Sequence, residues 1–284
     1  MKQNSKVSLF IPCLVDQVLP EIGLAMADLL RKLGYEISYN PRQTCCGQPA
    51  FNAGHRTEAR TVARHFLQTF AEADYIVSPS GSCTAMVRNY YPVLFAKDDS
   101  LMTQVKSLQK RTFEISEFIY AENKVDQISG HLDLKVSIHN SCHSMRELGI
   151  DNQIEEIIRR IDGVEIFIPQ VEHTCCGFGG LFSYKMPDIA SAMAKSRFEA
   201  YNGADLDVLI VNDPGCIQHF RAEASSAGFK GEVLHLVEFL PKAMVSASSI
   251  TATFSKKPKP WQQMRRIGSK LKKPSPLMKH KLLQ

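Results

Sequence analysis

The chain has 284 residues, 44% hydrophobic and 22% charged, which is typical of a soluble globular protein with one large domain or two of roughly 120 residues. Residues 241–284 hold 11 of the 34 Lys and Arg residues and none of the 29 acidic ones, so the first 240 residues carry 23 basic and 29 acidic side chains. This mildly acidic body has no basic patch with interleaved aromatic residues, which argues against nucleic acid as a partner.

An apolar run at residues 7–15 has the features of neither a signal peptide nor a membrane span. Pro12 interrupts it, and no small-residue cleavage site follows. No stretch of the sequence approaches the roughly 20 apolar residues that cross a bilayer, so we expect no transmembrane segment. We therefore expect a cytoplasmic protein, in which cysteines serve more often as ligands or redox groups than in disulfides.

Along the chain, β-rich runs alternate with patterns of helical periodicity. The predicted strands are at 7–12, 35–40, 74–78, 135–139, 164–168 and 207–212. The predicted helices lie near 19–33, 54–72, 114–121, 152–161 and 187–202. This alternation predicts an α/β fold in which parallel sheets are covered by helices.

The cysteines repeat in a fixed order. Each half of the chain contains one Cys, then Cys-Cys-Gly, then one Cys, with gaps of 31 and 36 residues in the first half and 32 and 39 in the second. A shift of about 130 residues superimposes the two sets, which indicates an internal duplication. The eight residues are Cys13, Cys45, Cys46, Cys83, Cys142, Cys175, Cys176 and Cys216.

The duplication divides the sequence into segments. We predict a first domain at 1–96, a connector at 97–130, a second domain at 131–245 and a basic flexible tail at 246–284. Residues 261–271 of the tail have apolar side chains at helical spacing among Lys and Arg. This pattern predicts an amphipathic helix that docks on a partner subunit or weakly touches a membrane surface. A disordered tail that only improves solubility is the alternative.

Each cysteine set is predicted to gather at one edge of a parallel sheet. The single cysteines follow predicted strands directly, and the Cys-Cys-Gly pairs follow the second strand of each half. Four adjacent thiolates need a bound cation or cluster. Zinc usually takes Cys-x-x-Cys knuckles, which this sequence lacks, whereas vicinal cysteines suit a multi-iron cluster. Zinc and ordinary buried cysteines remain as alternatives.

Three phrases carry a family resemblance: residues 45–50 (Cys-Cys-Gly-Gln-Pro-Ala), 80–83 (Ser-Gly-Ser-Cys) and 175–180 (Cys-Cys-Gly-Phe-Gly-Gly). They resemble the cysteine-rich CCG domain that occurs in heterodisulfide reductase, in glycolate oxidase iron–sulfur subunits and in anaerobic glycerol-3-phosphate dehydrogenase. The chain looks most similar to the lactate-utilisation protein A family, over roughly residues 6–242.

The resemblance implies an iron–sulfur electron-transfer subunit of a cytoplasmic complex that oxidises L-lactate to pyruvate with partner subunits. It also implies two duplicated CCG domains, related by a pseudo-two-fold axis. In heterodisulfide reductase the five-cysteine set resembles the holder of an unusual non-cubane cluster; because each half here has only four cysteines, we expect one ordinary [4Fe–4S] cluster per half. Because the sequence has no Gly-x-Gly-x-x-Gly fingerprint, we expect the hydride acceptor to lie in a partner or to be replaced by cluster chemistry. Two alternatives stay open: thiol–disulfide chemistry at a cluster, as in heterodisulfide reductase, and a non-redox, zinc-stabilised binding module.

The full CCG pattern of the resembled family ends in Cys-x-x-Cys, and here Ser80 and Asp213 occupy the first of those two positions. The resemblance therefore offers both residues as oxygen ligands. Four histidines lie near the second cysteine set: His139, His143, His173 and His219. We predict that His143, His173 and His219 support the metal or transfer protons; hydrogen-bonded loop histidines are the alternative. No catalytic residue is assigned.

Overall fold

The first half of the chain forms a four-stranded parallel sheet. In the computed structural model, which describes residues 6–170 and 174–244, the strands are β1 (Lys6–Leu9), β2 (Glu36–Tyr39), β3 (Tyr75–Ser78) and β4 (Thr112–Glu114). They lie in the order β2-β1-β3-β4 with every neighbouring pair parallel. The helices are α1 (Cys13–Val18), α2 (Pro20–Lys32), α3 (Gln48–Asn52), α4 (Arg56–Thr69), α5 (Gly81–Ala85), α6 (Tyr91–Leu94), α7 (Asp99–Gln109) and α8 (Ile115–Ala121). A π-helical turn, Met86–Tyr90, joins α5 to α6.

The second half repeats this architecture. Its strands are β5 (Gly130–His139), β6 (Ile161–Ile166), β7 (Val208–Val211) and β8 (Glu232–His235), in the order β6-β5-β7-β8 and again parallel. Its helices are α9 (Cys142–Leu148), α10 (Gln153–Ile158), α11 (Leu181–Lys185), α12 (Pro187–Glu199), α13 (Pro214–Glu223) and α14 (Leu236–Ala243). A short 3-10 turn, Val125–Gln127, precedes the second sheet.

The matching strand orders confirm the predicted α/β fold of two duplicated parallel sheets covered by helices. Burial explains why the inner strands form where they do. All four residues of β7, the run Val-Leu-Ile-Val, are buried, as expected for an inner strand of a parallel sheet that helices cover on both faces.

Two strands were not predicted from the sequence, β4 and β8. β4 lies inside the segment 97–130, which was expected to be a connector, and it pairs with β3. That segment therefore also supplies α7, the fourth strand of the first sheet and α8. β4 has only three residues, too few for the alternation that identifies a strand in sequence.

The two halves share a hydrophobic core. α14, from the end of the second half, packs against α2 in the first, and Phe239 and Leu240 belong to the same buried cluster as Ile22 and Met26. The halves also meet where α5 packs against α9. A Cβ atom on Gly81 would overlap the Ser144 Oγ, so a larger residue there would displace the Ser144 hydroxyl.

Helices that could cross a membrane are not found among residues 6–170 and 174–244, because none is both long and apolar enough. The amphipathic helix predicted at 261–271, and the tail of which it is part, lie outside the described residues.

Candidate metal centres

The first cysteine set lies at the carboxyl edge of the first sheet. Cys13 opens α1 shortly after β1 ends, and Cys83 lies in α5 just after β3. Cys45 and Cys46 lie in the loop between β2 and α3. Parallel strands bring their carboxyl ends to one edge of a sheet, where ligands commonly bind. The fold therefore brings these four thiols together although they are distant in sequence.

The second set has the same arrangement. Cys142 opens α9 after β5, and Cys216 lies in the first turn of α13 after β7. Cys175 and Cys176 follow β6, in the loop that leads to α11. All eight cysteines are free thiols, as ligands for a metal or cluster would be.

Within each set the thiols contact one another in the same order. In the first half, the thiols of Cys13 and Cys46 perturb the pKa of Cys45, and those of Cys45 and Cys83 perturb the pKa of Cys46. The second half has the corresponding series Cys142–Cys175–Cys176–Cys216, and the Cys176 and Cys216 Sγ atoms are 2.8 Å apart.

These contacts shift the thiol pKa values in parallel. Hydrogen bonds from Cys13 and Cys46 hold the pKa of Cys45 well below its usual range. Hydrogen bonds from Cys142 and Cys176 do the same to the pKa of Cys175. The parallel directions reflect the matching arrangement of the two sets, and thiolate is the form of cysteine that binds metals.

Backbone N–H groups also point at sulfur in both halves. The Gly47 N–H donates to Cys45 Sγ at 3.4 Å, and the next N–H, that of Gln48, donates to Cys46 Sγ at 3.5 Å. The second half has the same pair of bonds at the same distances, from Gly177 and Phe178 to the Sγ atoms of Cys175 and Cys176. Such bonds stabilise thiolate charge and tune the reduction potential of iron–sulfur clusters.

The glycine of each Cys-Cys-Gly makes this geometry possible. Gly47 and Gly177 have φ values of 87° and 88°, which lie in the left-handed region that favours glycine. Gly177 also approaches α12 closely, since a Cβ there would lie 2.5 Å from the Ala190 carbonyl oxygen. The corresponding distance from Gly47 to the Ala59 carbonyl oxygen of α4 is 3.3 Å.

The two sets face one cavity. All eight cysteines line a space of about 270 Å³, together with Gln48 and Pro49 from the first half and Phe178 and Leu181 from the second. The sequence predicted one four-cysteine edge per sheet, but it did not predict that both edges open onto the same space. A small molecule in this cavity can contact residues of both halves.

Ser80 and Asp213, the residues at the positions of the missing fifth cysteines, act as helix caps. The Ser80 Oγ accepts from the Cys83 N–H at 3.2 Å and donates to Asp213 Oδ2 at 3.2 Å. Asp213 Oδ1 accepts from the Gly215 N–H at 3.0 Å, and Oδ2 accepts from the Ser82 N–H at 2.9 Å. Asp213 thus caps α13 in its own half and also binds the start of α5 in the other.

The predicted histidines differ in their positions. His143 lines the cavity; its Nδ1 is 3.6 Å from Cys142 Sγ and its Nε2 is 3.3 Å from the Gln48 side-chain amide of the other half. His219 instead hydrogen-bonds the Ala190 carbonyl oxygen at 3.0 Å and is not among the cavity-lining residues. His173 lies outside the described residues.

His139 was noticed in the sequence but was not among the predicted site residues. It is buried at the end of β5, and one ring nitrogen and the Sγ atoms of Cys176 and Cys216 all lie within 4.8 Å of one another. Burial lowers the pKa of His139 to about 3, so its imidazole is neutral. Alignment of the two repeats could have identified His139 as a site residue, because the equivalent residue in the first half is the apolar Phe10.

The donor chemistry fits a thiolate-bound metal group in each half. Four sulfur donors meet at each site and backbone N–H groups stabilise their charge. Beside the second set lies an imidazole that has no hydrogen-bond partner in the described part of the chain. Soft sulfur donors select iron–sulfur clusters, zinc or copper(I) over hard cations.

A family model for the cysteine-rich CCG domain matches the chain twice, at residues 7–88 and 136–221. The chain is also similar to curated proteins named Lactate utilization protein A. It is 37% identical to the one from Bacillus velezensis over 235 residues, which cover 83% of this chain and 98% of that protein. The chain belongs to the lactate utilization protein A family.

Other members of the lactate utilization protein A family match over similar lengths. The Halalkalibacterium halodurans protein is 38% identical over 83% of this chain and 96% of its own length. Among solved structures, a glutamate racemase from Bacillus anthracis covers 84% of this chain and 79% of its own, with 13% identity and a TM-score of 0.34. A likeness at that score carries no functional argument.

Proposed function

We propose that the chain is an iron–sulfur electron-transfer subunit of a system that oxidises L-lactate to pyruvate. One observation carries the redox part of this proposal: two four-thiol sets of matching geometry face one cavity. The names of the relatives support the lactate part.

In this proposal the first centre is held by Cys13, Cys45, Cys46 and Cys83, and the second by Cys142, Cys175, Cys176 and Cys216. Bound there, one [4Fe–4S] cluster per half supplies one-electron transfer. The chain's own residues provide the thiolates, the N–H donors and a partly enclosed space between the halves. Ser80 and Asp213 position the cysteine-bearing helices α5 and α13 rather than donating oxygen ligands.

Lactate oxidation releases two electrons and two protons, whereas each cluster passes one electron at a time. Since the sequence has no dinucleotide fingerprint, the acceptor for the electron pair lies in a partner subunit or is replaced by cluster chemistry. The basic tail is the segment proposed to dock on that partner. A pull-down that compares the full chain with one cut at Ser246 tests this role, and equal recovery of partners by the two contradicts it.

The experiment that tests the redox proposal is anaerobic purification followed by iron, acid-labile sulfide and EPR analysis. We expect iron and sulfide in matching amounts and an EPR signal after reduction. Cys46→Ser and Cys176→Ser should each remove about half of the iron, because each belongs to a different set. Stoichiometric zinc without sulfide would instead support the zinc-stabilised binding module.

The shared cavity favours a second candidate, thiol–disulfide chemistry at a cluster. All eight cysteines line one space of about 270 Å³, so metal groups held by the two sets would lie close enough together to act on one small substrate. This candidate predicts that the EPR signal of the reduced protein changes when a small thiol or disulfide is added. A signal that stays the same while lactate-dependent reduction proceeds supports the first proposal.

A further inference from the structure

The two cysteine sets differ at one buried position. In the first half, Phe10 follows β1 and packs edge-to-face on Phe66 at a ring distance of 4.9 Å. In the second half, His139 takes the equivalent position and packs edge-to-face on Phe220 at 4.8 Å. The two partner rings lie on helices that are not equivalent, Phe66 on α4 and Phe220 on α13. Edge-to-face packing nevertheless needs only an aromatic ring, as Phe10 shows, so the ring nitrogens of His139 are not needed for it.

The surroundings of the two His139 ring nitrogens are unusual for buried polar atoms. His139 is only 1% exposed, and within residues 6–170 and 174–244 neither its Nδ1 nor its Nε2 has a hydrogen-bond partner. Buried polar atoms almost always have a partner, so an exception calls for a specific explanation such as a bound ion.

The nearest donors explain what these nitrogens can bind. A ring nitrogen of His139 lies within 4.8 Å of the Sγ atoms of Cys176 and Cys216. On one ion, with a metal–sulfur bond of about 2.3 Å and a metal–nitrogen bond of about 2.0 Å, such donors lie up to roughly 4 Å apart. A small rotation of the side chains therefore brings the imidazole within bonding distance of the metal group that these two thiols would hold.

We infer that His139 is a fifth protein ligand of the second centre, bound through an imidazole nitrogen beside Cys176 and Cys216. This inference rests on the proposed function, because it takes the metal group to be an iron–sulfur cluster. The first centre has thiolate ligands alone, since Phe10 cannot coordinate. The two centres of this duplicated protein are then chemically different.

Ligand chemistry predicts how a change at position 139 would act on the second centre. Imidazole is neutral where a thiolate is negative, and histidine ligands in place of cysteine raise the potential of iron–sulfur centres. A thiolate at position 139 would therefore lower the midpoint potential of the second centre below its value with the imidazole.

Full-length protein carrying ¹⁵N-labelled histidine, purified without oxygen and reduced, tests the inference by pulsed EPR. We expect a strong ¹⁵N hyperfine coupling from a coordinated imidazole in the wild type. The coupling should persist in His219→Phe, the matched control, because His219 bonds a backbone carbonyl away from the cavity. His139→Phe should lose it.

A redox titration of His139→Cys provides a second readout, because a thiolate can replace the imidazole as ligand. This variant should keep its iron, lose the ¹⁵N coupling and show one midpoint potential shifted downward, with the other unchanged. If the labelled wild type contains clusters but shows no histidine coupling, the inference is wrong and the proposed function stands, whether or not the variants fold. Absence of iron and sulfide from the wild type overturns the inference together with the proposed function.

Discussion

Asp213 holds the two halves together at the cysteine sites, and its removal should be costly. Asp213→Ala takes away the cap of α13 and the acceptor for the Ser82 N–H of the other half. Losing a cap costs about 1 kcal/mol, and leaving a partly buried N–H without an acceptor costs about 1–3 kcal/mol. We therefore expect the free energy of unfolding to fall by about 2–4 kcal/mol.

Anaerobic urea unfolding of the full chain, followed by circular dichroism, measures this loss. Asp213→Asn should lose less, about 1–2 kcal/mol, because the amide keeps one acceptor oxygen. Ser141→Ala is the matched control: Ser141 caps α9 by accepting from the Ser144 N–H at 3.1 Å without bridging the halves, so about 1 kcal/mol is expected. If Asp213→Ala lowers the free energy of unfolding no more than this control does, the hydrogen bond between Asp213 and the Ser82 N–H does not stabilise the protein.

The same variants test the role of Asp213 at the centre. If Asp213 acts only as a helix cap, Asp213→Asn should retain the iron and sulfide of the wild type, because the cap geometry survives. If Asp213 is instead an oxygen ligand of the cluster, that variant should lose iron, and such a loss would contradict the capping role.

In urea unfolding, Gly177→Ala should destabilise the fold by about 1–3 kcal/mol more than Gly47→Ala. Both glycines have the same backbone conformation, but only at Gly177 would a Cβ lie 2.5 Å from a carbonyl oxygen. Equal losses in the two variants would contradict this reasoning. Burial raises the pKa of Glu114 to about 8 despite hydrogen bonds from Ser116, so its carboxyl is protonated when folded and ionises on unfolding. Stability should then decline as pH rises from about 4.5 to 8, by roughly 3–5 kcal/mol, and Glu114→Gln should flatten that decline in urea titrations at several pH values. Removing iron with a chelator should lower the unfolding midpoint, and an unchanged midpoint would mean that the centres do not contribute to stability.

Sequence reasoning was most successful where the signal was periodic or repeated. The inner strands β1, β3, β5 and β7 were all predicted because buried parallel strands are apolar runs, and the duplication predicted which cysteines would gather. The edge strands β2 and β6 were predicted as well. β4 was missed because three residues are too few for a periodic pattern, whereas β8, which is as long as β2, was missed without such a reason.

At the site, the missing information was three-dimensional. Asp213 looked like a replaced ligand, and only the fold showed its two oxygens bonded to N–H groups from both halves. His139 could be set against Phe10 in the repeat, but the surroundings of its two ring nitrogens depend on packing that no spacing rule encodes. That both cysteine edges open onto one cavity follows from how the halves pack, and the repeat alone does not specify it.

The packing of α14 on α2 has a consequence for biosynthesis. Ile22 and Met26 of the first half are buried together with Phe239 and Leu240, near the end of the second. A nascent chain that has left the ribosome only as far as the first sheet lacks these partners. The domain that holds its first four thiols is then incompletely packed. Cofactor insertion into either half is therefore expected only after residues 236–243 have emerged, which makes loading a late event in the life of the polypeptide.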